Sequence, residues 1–209
     1  MSETSDPFGQ GKYQVRFDWG VEGAQRIAPG AHVVVLVDAL GRSTAAVLAA
    51  ERGDALPLDG RAVSAFAEPG PGGAVVLAAS LRNRGAVAER ILALQEERGE
   101  RTIVAVVALG DSGSSADGGG GIRFGIADQL TAGAVVDALI RLGLDHTSPE
   151  AAVACAAYEG LTNAVVHLLG ASGRGAELTA AGRRAEVRLA TERDVARVVP
   201  ELRDGAFQP

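Results

Sequence analysis

The sequence is poor in residues that cross-link a chain or ligate soft metals. It has one cysteine, Cys155, among 209 residues, so no disulfide can form within the chain. Such cysteine usage is typical of a reducing compartment, and we expect a cytoplasmic protein. The three histidines, His32, His146 and His167, lack the spacing of a metal site. We therefore expect neither a disulfide framework nor a histidine-based metal centre.

Aromatic residues, basic charge and long apolar stretches are also scarce. Aromatics make up 4% of the chain, so Ala, Val and Leu must fill the interior. The net charge of -6 leaves no broad basic field for nucleic acid. No apolar stretch approaches the roughly 20 residues that span a bilayer, and the polar segment 1–11 does not resemble a secretory signal. We expect a soluble protein that binds a small anionic substrate through local arginines, with no nucleic-acid or membrane partner; a homo-oligomer remains open.

Three apolar runs are the main feature that the sequence does contain. Residues 33–37, 74–78 and 103–108 are rich in Val, Leu, Ile and Ala, and each is followed by polar residues. Continuous apolar runs that alternate with helical patterns are typical of a parallel sheet covered on both faces. Ligands of such sheets bind at the carboxyl ends of the strands. The polar residues after the runs are therefore predicted to converge on one pocket.

The predicted fold class is α/β, a layered and mostly parallel sheet with helices on both faces. One domain is predicted over 1–209, with a strand-helix half at 12–110 and a helical, mixed half at 122–209, joined by a Gly-rich loop at 111–121. Strands are predicted at 12–17, 32–37, 56–58, 74–79 and 102–109. Helices are predicted from Ser43 or Thr44 to Arg52, and at 84–98, 126–143 and 149–170. We expect a loop with a short helical turn at 18–30, a helix fragment and turn at 60–73, and a short strand and helical turn within 185–209.

Seven segments of the chain carry motifs that belong together. They are VRFDWGVEG (15–23), VLVDAL (35–40) with Ser43-Thr44, LRNRGAVA (81–88), IADQLTAGA (126–134), SPEA (148–151), SGR (172–174) and VPEL (199–202) with GAF (205–207). In this order they resemble the 2-phosphosulfolactate phosphatase (ComB) family of coenzyme M biosynthesis, of which the chain would be a shortened and divergent member. The resemblance implies a ComB-like α/β fold and a Mg²⁺-dependent phosphatase. Its substrate would be 2-phosphosulfolactate or a similar small phospho-acid, hydrolysed to the hydroxy acid and phosphate.

Three aspartates are the predicted metal ligands, with Mg²⁺ as cofactor: Asp38, Asp111 and Asp128. Asp38 ends a buried strand, where a carboxylate can bind Mg²⁺ or accept a proton from attacking water, or can simply cap the next helix. Asp128 lies in the first turn of a helix, where it can equally serve the helix dipole. The family resemblance makes Asp38 and Asp128 the predicted catalytic residues. Asp111 closes the third strand and is predicted as a further metal carboxylate.

Six polar residues are predicted to bind the anionic groups of the substrate: Ser43, Thr44, Arg82, Asn83, Ser172 and Arg174. The first pair begins a helix, whose amides and hydroxyls suit phosphate but also suit a plain N-cap. The second pair follows a strand and offers a guanidinium fork for phosphate or sulfonate, or else a solvated arginine and a helix cap. The third pair follows a helix and can hold an anionic tail, or form a helix-terminal turn with an exposed arginine.

The chain also departs from the family pattern. Gly41 stands where many family members have an arginine, and Arg42 follows it. The family's central turns have no counterpart between Leu58 and Ser80. An alternative is therefore a catalytically inactive relative that binds a small anion or a protein partner. A nucleotide-binding domain is less favoured, because the glycines at 110–121 have the wrong spacing. Cys155 is predicted to be a small buried residue, and Gly133 to allow close helix packing.

Overall fold

The structure, a computed structural model, describes residues 7–58, 73–112 and 122–209. Its strands are β1 (Val15–Trp19), β2 (Val33–Val37), β3 (Leu56–Pro57), β4 (Val75–Ala79), β5 (Val104–Ala108), β6 (Asp111–Ser112), β7 (Ile122–Arg123), β8 (Glu201–Arg203) and β9 (Ala206–Gln208). Seven of them form one mixed sheet in the order β1-β5-β2-β4-β8-β9-β3, while β6 and β7 pair separately. The fold is therefore α/β, as predicted.

Eight α-helices lie within the described residues, after a single 3₁₀ turn at Pro7–Gly9. They are α1 (Gly20–Ile27), α2 (Arg42–Ala50), α3 (Arg84–Arg98), α4 (Ile126–Arg141), α5 (Pro149–Leu161), α6 (Val165–Ala171), α7 (Gly173–Ala180) and α8 (Arg184–Ala190). Within the same residues, no single helix has the length and hydropathy to cross a membrane; α5 and α6 meet that criterion only if joined across their 105° bend.

The four long strands β1, β5, β2 and β4 are mutually parallel and end in one row. Val37 at the end of β2 is in register with Ala108 of β5 and with Ala79 of β4. The residues that follow these strands therefore start at the same edge of the sheet. This arrangement confirms the predicted parallel core and brings the loop after β2 next to the loop after β5.

Alternate residues of the strands pack on opposite faces of the sheet, as the pleat requires. Val35 and its neighbours on one face meet α3, α4 and α5, and Leu36 and its neighbours on the other meet α1 and α2. The crossing of α4 and α5 is close, because a Cβ on Gly133 would lie 2.0 Å from the carbonyl oxygen of Ala154. The predicted role of Gly133 in helix packing is confirmed.

A third apolar cluster covers the carboxyl edge of the sheet. It joins Leu40 and Leu81, which follow β2 and β4, to buried side chains of the later helices such as Leu130, Leu169 and Leu178. The helices α6, α7 and α8 are therefore fixed beside the strand ends. This packing allows the first turn of α7 to contribute to a site at that edge.

Two helical predictions need correction. The segment 18–30 is mostly the helix α1, whose Ala24 and Ile27 are buried against the sheet. The predicted helix 149–170 is two helices, because the chain turns at residues 162–164 so that Val165 and Leu169 enter the third cluster. In both places tertiary burial, which a local pattern does not report, decides the conformation.

The end of the chain also differs from the prediction of a short strand and a helical turn. Residues 201–208 form the hairpin β8–β9, which joins the sheet antiparallel to β4. Asp204 and Gly205 both have positive φ, the conformation that Asp-Gly favours in a two-residue hairpin turn. This Asp-Gly signal was available in the sequence. The predicted turn at 60–73, apart from Gly73, and positions 113–121 of the Gly-rich loop lie outside the described residues.

Candidate active site

Asp38 follows β2 directly, and one of its two carboxyl oxygens is hydrogen-bonded to the protein. Oδ2 accepts a hydrogen bond from the backbone N–H of Arg42 at 2.6 Å, while Oδ1 has no hydrogen-bond partner among the described residues. The loop fits closely around the carboxylate, because a Cβ on Gly41 would lie 2.3 Å from Oδ2. Asp38 therefore caps α2, whose N-cap position is Gly41 rather than the predicted Ser43 or Thr44, and still presents one oxygen.

Asp128 lies in the first turn of α4 and is 5% exposed. Its Oδ1 accepts from the backbone N–H of Ala39 at 2.7 Å, and its Oδ2 accepts from the backbone N–H of Gly110 at 2.8 Å. Ala39 immediately follows Asp38, and Gly110 immediately precedes Asp111. The three aspartates predicted from distant parts of the sequence are thus brought to one edge of the sheet.

The charges of these groups influence the pKa of Asp38 and of Asp128. Burial raises the pKa of Asp128 to about 8, and the nearby charges of Asp38 and Asp111 add to the rise. Burial likewise raises the pKa of Asp38, against the opposing effects of the Arg42 N–H and of the Arg174 and Arg42 charges. The site therefore combines crowded carboxyl groups with two guanidinium groups, an arrangement that favours a cation or a bound anion.

The carboxyl groups of Asp38, Asp111 and Asp128 do not form a compact three-ligand metal site. Across residues 7–58, 73–112 and 122–209, three potential ligand atoms lie within 4.8 Å of one another only at Asp137, Cys155 and Glu159. This group, which lies away from the three aspartates, is a poor metal site, because Asp137 already pairs with Arg84 and Arg141. Burial also raises the pKa of the Cys155 thiol to about 11, which keeps it protonated.

Ser43 and Thr44 are buried, and their hydroxyls serve the loop itself. The Ser43 hydroxyl donates to the carbonyl of Asp38 and accepts from its N–H, both at 2.9 Å. The Thr44 hydroxyl donates to the carbonyl of Ala39 at 2.7 Å. Both residues are therefore beside Asp38, where they shape the loop, and their contact with an anion stays a prediction.

Arg82 is in a different environment from the one predicted. Its guanidinium is buried, forms ion pairs with Glu51 and Glu192, and donates to the carbonyl of Leu189 at 3.0 Å. Two carboxylates thus already compensate its charge. Binding of a substrate anion by Arg82 remains a prediction without a contact that favours it.

Asn83 is fully buried and is occupied by the backbone. Its side-chain oxygen accepts from the N–H of Ser80, and its amide nitrogen donates to the carbonyls of Ala78 and Val198. These bonds tie the end of β4 to the segment that precedes β8. A structural role accounts for all of these contacts, and the predicted anion contact has no support from them.

Ser172 and Arg174 have different positions in α7. The Ser172 hydroxyl caps this helix by accepting from the N–H of Gly175, and it donates to the carbonyl of Leu169. Arg174, the second residue of α7, pairs with Glu177 at the surface, and its charge lowers the pKa of Asp38. Of the six predicted anion-binding residues, Arg174 thus lies in the most suitable electrostatic environment.

Arg42 is the site residue that sequence reasoning did not select. Its backbone N–H binds the Asp38 carboxylate, and its side-chain charge lowers the pKa of that group. A signal existed, since an arginine in the first helical turn after a buried strand is well placed for an anion. Relative to the family pattern, Arg42 is displaced by one residue, because Gly41 stands at the family's arginine position.

A family model described as 2-phosphosulpholactate phosphatase matches residues 65–205, about two thirds of the chain. The chain belongs to this family. A search of curated proteins gave no match. The matched range contains Asp111, Asp128 and Arg174, but it begins after Asp38 and Arg42. Membership thus confirms the resemblance inferred from the motifs, while the assignment of Asp38 depends on the geometry of the strand ends.

Proposed function

We propose that the protein is a Mg²⁺-dependent phosphatase that hydrolyses 2-phosphosulfolactate, or a similar small phospho-acid, to the hydroxy acid and phosphate. The family is named for this phosphoric monoester hydrolysis. The observation that carries the proposal is the open Oδ1 of Asp38, set among Asp111, Arg42 and Arg174. The proposal includes a place in coenzyme M biosynthesis and a cytoplasmic location, which rests on the single cysteine.

Asp38 and Asp111 are the carboxylates that we propose to hold Mg²⁺. Mg²⁺ is commonly bound by one or two carboxylates together with waters and substrate phosphate, so a loose pair is chemically suitable. Burial is the main cause of the raised pKa of Asp38 and Asp128, and a cation would offset the smaller contribution from the charge of Asp111. When bound, Mg²⁺ offsets negative charge on the transferring phosphoryl group and makes bound water more acidic.

The protein's own residues then have separate tasks. Arg174 and Arg42 hold the anionic groups of the substrate, because guanidinium groups match phosphate and sulfonate oxygens. Asp38 orients the water that attacks phosphorus. The bond between phosphorus and the ester oxygen breaks, the released hydroxy acid takes a proton from solvent, and the proton of the attacking water returns to solvent.

Substitution of Asp38 by Asn tests the proposal. The Asn carbonyl can still accept from the Arg42 N–H, so the loop should keep its shape while the charge is lost. Phosphate release from racemic 2-phosphosulfolactate with Mg²⁺ should fall by about 100-fold or more. The exposed Asp54, paired with Arg52, provides the control, and Asp54→Asn should release phosphate at the wild-type rate. Equal release by Asp38→Asn and wild type would remove Asp38 from the mechanism.

A catalytically inactive, anion-binding protein is the second candidate. It is favoured by the spacing of the three carboxyl groups, which do not all lie within 4.8 Å of one another in the part of the chain that is described. Melting temperature measured with Mg²⁺ and sulfolactate or phosphate separates the two candidates. A rise in melting temperature without phosphate release would support binding alone, and phosphate release would support the enzyme.

A further inference from the structure

Asp128 makes two contacts that neither catalysis nor metal binding requires. Each of its carboxyl oxygens accepts one backbone N–H, from Ala39 at 2.7 Å and from Gly110 at 2.8 Å. The two donors lie in different loops, which follow the neighbouring parallel strands β2 and β5. One side chain thus joins two segments that are about 70 residues apart in sequence.

The two donors are adjacent to the proposed metal ligands. Ala39 is the residue after Asp38, and Gly110 is the residue before Asp111. Consecutive Cα atoms are about 3.8 Å apart, so a fixed amide leaves the neighbouring residue little freedom to move. The spacing of the two carboxyl oxygens of Asp128 therefore helps to set the separation of Asp38 and Asp111.

The side chain that joins the loops is itself held firmly. Asp128 belongs to α4, most of whose residues are buried, and α4 packs against the sheet and closely against α5 at Gly133. Both loops are therefore fixed to the well-packed helix α4 through Asp128, rather than bonded directly to each other.

We propose that Asp128 is a positioning residue, which holds the loops after β2 and β5 at the separation that Asp38 and Asp111 need to share one divalent cation. This inference rests on the proposed function, and it gives Asp128 a task other than direct ligation. Asp38, with its open Oδ1, and Asp111 remain the residues that meet the ion.

Backbone amide NMR of the full-length protein without added metal tests the two contacts. In Asp128→Ala both the Ala39 and Gly110 amide protons should move upfield and exchange with solvent about tenfold faster or more, because each loses its hydrogen-bond acceptor. Asp128→Asn keeps one carbonyl oxygen, so one of the two amides should change and the other should persist. Asp111→Asn is the matched control, and it should leave both amides unchanged.

The functional consequence is tested with Mg²⁺ at a temperature well below melting. The half-saturating Mg²⁺ concentration for phosphate release should rise about tenfold or more in Asp128→Asn, a change that loss of stability alone would not cause. Unchanged Ala39 and Gly110 amides in both Asp128 variants would overturn the inference, as would an unchanged Mg²⁺ requirement. If wild type releases no phosphate, the proposed function fails, but the amide measurements still decide whether Asp128 holds the loops.

Discussion

The loops after β2 and β4 begin at the same edge of the sheet, yet they are used differently. The β2 loop contains Asp38, whose Oδ1 has no partner among the described residues. In the β4 loop, Arg82 is buried between Glu51 and Glu192, and Asn83 bonds to the backbone on both sides. The β2 loop therefore keeps a carboxyl oxygen available for a ligand, while the polar groups of the β4 loop are already bonded within the protein.

The difference teaches that a polar residue at a strand end is not by itself a site. Both loops follow buried parallel strands, and both carry residues that suit anion or metal binding, so local sequence treats them alike. The partners decide the outcome, and they come from elsewhere: Glu51 from the end of α2, Glu192 from after α8, and the Val198 carbonyl from the segment before β8.

Arg174→Gln should lower activity strongly and sharpen the contrast between the loops. A hydrogen bond to a charged group contributes about 1.5–3 kcal/mol, so kcat/KM for phosphate release should fall by about 10- to 100-fold. Stability should change by less than about 0.5 kcal/mol, because the Arg174–Glu177 pair is at the surface. Arg188→Gln, at an exposed arginine of α8, is the control and should leave kcat/KM unchanged. An unchanged kcat/KM in Arg174→Gln would show that Arg174 does not bind the substrate anion.

Arg82→Gln should give the opposite pattern. Removal of the buried guanidinium leaves Glu51, Glu192 and the Leu189 carbonyl without their donor, and the free energy of unfolding should fall by about 1–3 kcal/mol. Because both carboxylates remain partly exposed, the larger losses seen for fully buried pairs are not expected. Below the melting temperature, kcat/KM should stay within about twofold of wild type. A large loss of kcat/KM with unchanged stability would instead indicate that Arg82 binds the substrate.

Gly41→Ala tests how closely the β2 loop fits Asp38. The added Cβ would lie 2.3 Å from the carboxylate, so the loop must shift, at a cost of about 1–3 kcal/mol and with loss of phosphate release. Gly160→Ala, in the helix α5 with open space around it, is the control and should raise stability by about 0.5–1 kcal/mol. Gly41→Ala protein with wild-type stability and turnover would show that the fit is not needed.

Stability of the metal-free protein should also depend on pH, through the buried carboxyl group of Asp128 that joins the β2 and β5 loops. In the folded protein the pKa of Asp128 is about 8, so this carboxyl group keeps its proton at pH values where the unfolded chain has lost it. Stability of the metal-free protein should therefore fall as pH rises from about 4 to about 8. Melting temperatures measured in chelator should decline less steeply for Asp128→Asn than for wild type, while Arg82→Gln keeps the wild-type slope. Parallel curves for wild type and Asp128→Asn would contradict this assignment.

Sequence reasoning identified most of the fold, because its strongest signals are local. The runs at β2, β4 and β5 and the helix Arg84–Arg98 were correctly predicted from apolar periodicity, and the meeting of Asp38 with Asp128 followed from strand-end geometry and the family resemblance. The bend between α5 and α6 was missed because it depends on burial against distant residues. The closure of the Arg82 loop was missed for the same reason, since its acidic partners lie 31 and 110 residues away.

A crystal structure of the protein soaked with Mg²⁺ and phosphate tests the central claim most directly. The account predicts a metal ion on Oδ1 of Asp38 and the carboxylate of Asp111, with phosphate held by Arg174, and no ion at Arg82. Phosphate bound at Arg82 in place of Glu51 or Glu192, with the Asp38 loop empty, would contradict the account.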